Sequence, residues 1–223
     1  MDLIYLRENF DKLSKDCAEK EQKFLDSIQQ ASASGFIQGF PQIEDLNHGA
    51  IIFFLTAQKI LTKILSLLNL LSQPQREKGY TELKRYCFER YGKDDYVFQL
   101  ISHYDQFLDE IWNIRNSIEH KNGKDKNFKV ENIFIDPKNS IVLPTVEYSY
   151  VSWSKNKIKT DKKYDLLKTM GFCIAQMQTY IEDAVLVVSR TFLDEFIPIQ
   201  YHIEVDEKEK APFRYSVRFE ASS

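Results

Sequence analysis

Residues 95–120, DYVFQLISHYDQFLDEIWNIRNSIEH, decide the fold class of this chain. Gly92 predicts the end of a preceding helix, and Asp94 with Asp95 predicts the N-terminal cap of a new one. Apolar residues then recur every three or four positions, which is the spacing of one face of an α-helix. The repeating positions are Val97, Leu100, Ile101, Tyr104, Leu108, Ile111 and Trp112. We therefore predict a single amphipathic helix from about Asp95 to His120.

Further helices are predicted on both sides of this stretch. Their apolar residues follow the same spacing, and glycines and prolines separate them. Short connections between long amphipathic helices are typical of an antiparallel bundle. Besides the helix already described, the sequence predicts helices from the N-terminus to about Gly35, from Leu46 to Leu71, from Gln75 to Tyr91 and from Lys162 to Glu195.

Two segments have the composition of β-strands. Between Phe128 and Trp153 the residues become β-branched and aromatic, and a type I turn at 136–139 predicts a β-hairpin. Near the C-terminus, 199–205 and 213–219 alternate as two strands, which either extend that hairpin or pair separately. The fold predicted is mainly α: one domain over 1–223, with a helical bundle at 1–196, an inserted hairpin at about 128–153 and a β-hairpin at 197–223.

The composition is that of a globular protein inside the cell. Apolar residues make up 43% of the chain and charged residues 28%, and the formal net charge is −3, so nucleic acid would have to bind a local basic patch. The three cysteines form no CxxC pair, which favours a reducing cytoplasm. The most apolar stretch, Ala50 to Leu71, contains Gln58, Lys59, Thr62 and Lys63, and is predicted to be a bundle helix rather than a membrane span.

Arg115 is the unusual residue of the 95–120 helix. Three or four positions on from Ile111 and Trp112, it falls on the predicted core-facing stripe. An unpaired buried charge costs several kcal/mol, roughly, so Arg115 is expected to have a carboxylate, a cluster of carbonyls or an anionic ligand as its partner. Five residues later, His120 occupies the last turn, where the helix dipole favours a protonated imidazole.

The segment from Ile114 to His120, IRNSIEH, resembles the HEPN motif, in which an Arg is followed after four to six residues by a His. Asn116 matches the polar residue that commonly follows the Arg. The resemblance implies an antiparallel helical bundle and a homodimer that brings two motifs into one cleft. Many members of the family are metal-independent endoribonucleases, so the resemblance also implies that activity. The family is common in toxins and antiviral defence proteins.

By that resemblance, Arg115, His120 and Asn116 are the candidate catalytic residues. Arg115 would stabilise charge on the scissile phosphate, His120 would act as general base or acid, and Asn116 would orient the phosphate or the His. The 2'-hydroxyl of RNA would be the nucleophile, so no metal and no cofactor are expected. The sequence holds no HExxH motif, no Cys/His ligand spacing and no Walker-type GxxxxGK[ST] motif.

Two other interpretations of the motif stay open. The first is a non-catalytic HEPN-type module that binds a nucleotide, RNA or a protein partner such as an antitoxin. An adenylylating antitoxin is not supported, because the Tyr that such toxins carry shortly after the His is replaced by Lys121, Asn122 and Gly123. The second is a helical scaffold in which Arg115 and Glu119, spaced i and i+4, form an ordinary ion pair.

Lysines near the motif are candidate RNA contacts. Lys121, Lys124, Lys126 and Lys129 lie in the predicted loop after it, and Lys155, Lys157, Lys159, Lys162 and Lys163 lie between the hairpin and the last long helix. The alternative is that they are solvated loop charges. Tyr148, Tyr150 and Trp153 are candidates for stacking on bases, although strand aromatics more often pack against neighbouring helices.

Overall fold

The structure, a computed structural model, describes the greater part of the chain. The described ranges are 2–34, 42–72, 79–119, 127–135, 141–151, 159–193, 200–202 and 216–218.

Helices dominate these ranges, as predicted, and give the chain the character of a helical bundle. Gly92 ends α3 in a left-handed conformation, φ 87°, and its amide donates to the carbonyl of Phe88 at 3.0 Å. The carboxylate of Asp95 caps α4 by accepting from the amide of Val97 at 2.8 Å. Both predicted boundary signals are confirmed. The helices are α1 (Asp2–Ser34), α2 (Leu46–Leu68) with a 3-10 turn at Asn69–Ser72, α3 (Tyr80–Tyr91), α4 (Tyr96–His103), α5 (Asp105–Glu119) and α6 (Leu166–Leu193).

The prediction of one helix from Asp95 to His120 is wrong at Tyr104. There the backbone has ψ near 2°, so α4 ends and α5 begins at Asp105, whose negative charge suits a helix N-terminus. Tyr104 is 1% exposed, its hydroxyl donates to Asp183 at 2.6 Å, and its ring stacks on Tyr180 with centroids 4.1 Å apart. Apolar residues recur at nearly the same spacing before and after the break. The sequence pattern therefore continues across Tyr104 and does not reveal where α4 ends.

The β-structure inserted before the last long helix is more extensive than the single hairpin predicted there. The strands are β1 (Phe128–Glu131), β2 (Phe134–Ile135), β3 (Ile141–Val142), β4 (Thr145–Val151), β5 (Lys159–Asp165), β6 (Gln200–His202) and β7 (Ser216–Arg218). Strands β1, β4 and β5 form an antiparallel sheet, in which Tyr148 lies between Phe128 and Lys162. Strands β2 and β3 pair with each other, and β6 and β7 form a separate pair.

The last long helix begins later than predicted, at Leu166 rather than Lys162. Residues 159–165 are a strand because they pair along their whole length with β4. The carboxylate of Asp165 then accepts from the amide of Lys168 at 2.9 Å and caps the helix. The hairpin turn predicted at 136–139 lies outside the described residues.

The chain divides into two compact units, which are described separately. One unit comprises Met1–Gln58 and Asp109–Ile174, and the other comprises Lys59–Leu108 and Ala175–Ser223. The stretch Leu46–Leu71 is long and apolar enough to cross a membrane by length and composition, and 39% of its most apolar window is buried inside the structure. The core helix of a soluble protein meets the same criterion, so its assignment as a bundle helix stays a prediction.

Candidate functional site

The inner face of α5 determines where Arg115 lies. Ile111, Ile114 and Ser117 are at most 2% exposed and continue the buried stripe to the end of the helix. Arg115 lies beside this stripe, and its side chain is 33% exposed. The expectation that the guanidinium sits on the core-facing seam is therefore corrected. From Ile111 onward, every third residue of the helix is buried, so the buried stripe includes Ser117 and does not include Ile118.

The guanidinium of Arg115 is nevertheless held by its own helix. Its Nη2 lies 2.6 Å from Oε2 of Glu119, and its Nη1 donates to Oδ1 of Asn116 at 3.1 Å. Its Nε is buried and has no hydrogen-bond partner among the described residues. Of the partners that the sequence predicts, a carboxylate, a cluster of carbonyls or an anionic ligand, the structure shows a carboxylate, that of Glu119. Two of the three guanidinium nitrogens are thus held in a defined orientation.

Of the other predicted site residues in and just after the motif, the structure describes only Asn116. Asn116 is half-buried and supplies a carbonyl oxygen to Arg115. His120, Lys121, Lys124 and Lys126 lie outside the described residues, so their predicted roles stay predictions. The structure therefore brings Arg115 and Asn116 together with Glu119, which the sequence had suggested only as a competing ion-pair partner.

Lys129 lies on β1 and is committed to a carboxylate. Its Nζ is 2.5 Å from Glu131, which also accepts from Lys163 on β5. Hydrogen bonds from Lys129 and Lys163 lower the pKa of Glu131 to about 2, and the bond to Glu131 raises the pKa of Lys129. Binding of an RNA phosphate to Lys129 would have to compete with this cross-strand network.

Two other expectations near the sheet are corrected. Lys159, Lys162 and Lys163 belong to β5 and not to a loop, because pairing with β4 extends to Lys159. Tyr148 is fully buried, and its hydroxyl donates to Glu110, so its ring has no free face for a base. Glu110 also accepts from Lys162 at 3.5 Å.

Ser117 is a site residue that the sequence reasoning missed. It is 1% exposed, and its hydroxyl donates to the backbone carbonyl of Ser149 on β4 at 3.1 Å. The available signal was its position three residues after Ile114, which places a polar side chain on the apolar stripe. Ser149 gave no such signal, because strand alternation puts it on the same face as the solvent-facing Glu147.

Other features of the described residues lie away from Arg115. Among them, no group of three or more His, Cys, Asp or Glu side chains is placed to hold a metal ion. A groove of about 640 Å³ runs between α1 and the start of α2, lined by residues that include Tyr5, Asn9, Asp16 and His48. None of the predicted site residues lines this groove.

Comparisons with family models, with curated proteins and with solved structures find no match to this chain. The resemblance to the HEPN motif therefore rests on the residues from Arg115 to His120 and on their position at the end of a long helical segment.

Proposed function

We propose that this protein is a metal-independent endoribonuclease of the HEPN type, acting as a homodimeric toxin or defence protein. The observation that carries the proposal is the state of Arg115. Its guanidinium is one third exposed and held by Glu119 and Asn116, and its buried Nε has no partner among the described residues. A planar cation that is oriented before substrate arrives is well suited to a phosphodiester, which it can contact through two parallel hydrogen bonds.

The chemistry requires an exchange of partners at Arg115. A phosphate oxygen takes the place of the Glu119 carboxylate, and the guanidinium then stabilises the negative charge that builds on the non-bridging phosphate oxygens in the transition state. His120 removes the proton from the 2'-hydroxyl, or donates one to the leaving 5'-oxygen. The P–O5' bond breaks as the 2'-oxygen attacks, which leaves a 2',3'-cyclic phosphate and a free 5'-hydroxyl. Asn116 keeps the guanidinium oriented, and Lys121, Lys124 and Lys126 contact neighbouring phosphates.

The test is cleavage of RNA by the purified protein in the presence of EDTA. We expect products that end in a 2',3'-cyclic phosphate, and we expect a substrate with deoxyribose at the cut position to survive. His120→Ala should abolish cleavage with little effect on folding. Loss of activity on chelation, or equal cutting of DNA, would refute the mechanism, and an active His120→Ala protein would remove the proposed acid or base.

A second candidate is favoured by a specific contact. The ion pair of 2.6 Å between Arg115 and Glu119 neutralises the guanidinium within its own helix, as a non-catalytic HEPN-type interaction module would permit. Such a module binds RNA, a nucleotide or a protein partner without cutting. RNA binding that survives His120→Ala, weakens on Lys124→Glu with Lys126→Glu, and is never followed by cleavage would establish this candidate instead.

A further inference from the structure

The groove between α1 and the start of α2 is fixed by packing and by hydrogen bonds. Leu13 is 6% exposed and lies against Gly49, where an added Cβ would be 3.3 Å from Cδ1 of Leu13. The two helices therefore approach each other closely at the base of the groove. Just before α2, the side-chain amide group of Asn132 accepts from the backbone amide of Ile43 at 3.1 Å and donates to its carbonyl at 2.9 Å. A binding surface that is fixed in this way loses little conformational entropy when a partner binds.

The lining of this groove is acidic. Four carboxylates and one lysine give it a formal charge of −3, which equals the net charge of the whole chain. Among the described residues, none of these four carboxylates has an ion-pair partner. Like charges that line one groove repel each other, so a cation that binds there relieves the repulsion. The charged residues of the lining are Glu8, Lys12, Asp16, Glu44 and Asp45.

Both walls of the groove present side chains at helical spacing. On α1 the lining residues recur every three or four positions from Tyr5 to Asp16, a span of about 16 Å or three turns. On the other wall they recur from Asp45 to Ile52. Apolar groups lie among the charges, since Tyr5 is 48% exposed and Leu13 and Ile52 add aliphatic side chains. A groove of this kind between two helices matches the side-chain ridges of a third helix.

We infer that this groove is a docking site for a basic amphipathic helix of a partner protein. The apolar side chains of that helix pack against Tyr5, Leu13 and Ile52, and the lysines or arginines beside them contact the carboxylates of the groove. Negative charge attracts such a partner and speeds its encounter with the groove, whereas it repels the phosphates of RNA. Docking in this groove does not depend on ribonuclease activity, and none of the candidate catalytic residues lines it.

Fluorescence anisotropy with two labelled peptides tests the helical occupant. Both peptides contain leucine and lysine in equal number over about twelve residues. In one the leucines have helical spacing, and in the other leucine and lysine alternate, as in a strand. The full chain should bind the helical peptide at least about tenfold more tightly, because the groove presents its apolar groups at the spacing of a helix. Equal affinities, or no binding of the helical peptide, would overturn the inference.

Neutral substitutions on one helix test where the peptide binds. Glu8→Gln with Asp16→Asn removes two carboxylates from the groove and should weaken binding of the helical peptide at least about tenfold at low salt. Asp11→Asn with Glu19→Gln is the matched control, because it removes two carboxylates from exposed positions of the same helix outside the groove. The control should change the affinity less than about twofold. Equal losses would mean that the peptide binds by general attraction to an acidic protein, and docking in the groove would be wrong.

A substitution that keeps the charge separates docking from electrostatic attraction. Tyr5→Ala removes an aromatic side chain that is 48% exposed, and Phe88→Ala removes one of equal exposure from α3, outside the groove. Tyr5→Ala should weaken binding about fivefold in both low and high salt, whereas Phe88→Ala should leave the affinity unchanged. Circular dichroism and thermal melting check that each variant is folded. If Tyr5→Ala binds the peptide as tightly as the wild-type protein does, the peptide does not occupy the groove.

Discussion

Two helices of this protein carry an Arg followed four residues later by a Glu, and the two pairs differ in the distance between their charged groups and in their exposure to solvent. On α3, Arg85 and Glu89 lie 3.9 Å apart with 73% and 66% of their side chains exposed. On α5, Arg115 and Glu119 lie 2.6 Å apart with 33% and 39% exposed. The sequence spacing is the same. The difference shows that the surroundings, not the spacing, decide whether such a pair is a solvated surface contact or a shielded one.

The pair on α5 is also an unfavourable choice for helix stability alone. An Arg placed before the Glu is the weaker order for a pair spaced i and i+4, and the negative charge of Glu119 falls in the last turn, where the helix dipole opposes it. The buried Nε of Arg115, which has no acceptor among the described residues, adds the cost of an unsatisfied donor, about 1 to 3 kcal/mol. Arg85 and Glu89 have the same order, and Glu89 also lies in the last turn of its helix, so the pair on α3 is a control for the first two effects.

The largest expected difference between the two pairs is in catalysis. Arg115→Ala should lower the rate of RNA cleavage about 100- to 1,000-fold, because it removes the group that we propose stabilises the charged transition state. Arg85→Ala removes the same charge from a pair with the same spacing and should change the rate less than about twofold, because surface substitutions are nearly neutral. The measurement is single-turnover cleavage of a labelled RNA by folded protein. Equal losses in the two variants would mean that Arg115 acts only through the net charge of the protein.

A similar contrast separates the structural features that could be predicted from the sequence from those that could not. Apolar spacing predicted a mainly helical fold, and Gly92 and Asp95 predicted the boundary between α3 and α4, because each of these signals is local. The break at Tyr104 was missed because its cause is distant: the hydroxyl bonds to Asp183 and the ring stacks on Tyr180. Strand β5 was missed for the same reason, since a lysine-rich segment becomes a strand only through pairing with β4.

At the candidate site, the sequence predicted that Arg115 needs a carboxylate, a cluster of carbonyls or an anionic ligand as its partner, but not which of these it has or how exposed the pair is. Arg115 and Arg85 each have a Glu four residues later, and only packing distinguishes their surroundings. Ser149 could not be predicted, because its burial and its hydrogen bonds to Ser117, Asn127 and Asp161 depend on separate segments of the chain coming together.

A smaller difference is expected in RNA affinity. In a His120→Ala background, which the proposed mechanism makes inactive, Glu119→Gln should lower the Kd for RNA by up to about fivefold, because the carboxylate no longer competes with phosphate for Arg115. Glu89→Gln changes the net charge by the same amount on the exposed pair and should have little effect. Fluorescence anisotropy at fixed salt measures both. Equal gains would indicate general electrostatic attraction, and a weaker affinity of Glu119→Gln would make Glu119 part of the binding surface.

The smallest expected difference is in stability, measured as coupling energies in urea denaturation. Arg→Met and Glu→Gln variants form a double-mutant cycle for each pair, and Met keeps much of the apolar stem of Arg in place. The pair on α3 should contribute at most about 0.3 kcal/mol, and the shielded pair on α5 about 1 kcal/mol. In 1 M salt the first coupling should vanish and the second should persist in part, because partly buried charges are screened less.

The two single variants of the α5 cycle should also differ in how strongly they destabilise the protein. Glu119→Gln leaves the guanidinium of Arg115 without its charged partner, whereas Arg115→Met removes that guanidinium together with its unsatisfied Nε and leaves a carboxylate that is 39% exposed to water. Glu119→Gln should therefore destabilise the protein more than Arg115→Met. On α3 the two single variants should be equal within error, because both side chains are solvated. Equal effects on α5 would show that water already satisfies the guanidinium, and the two pairs would then be energetically alike despite their different geometry.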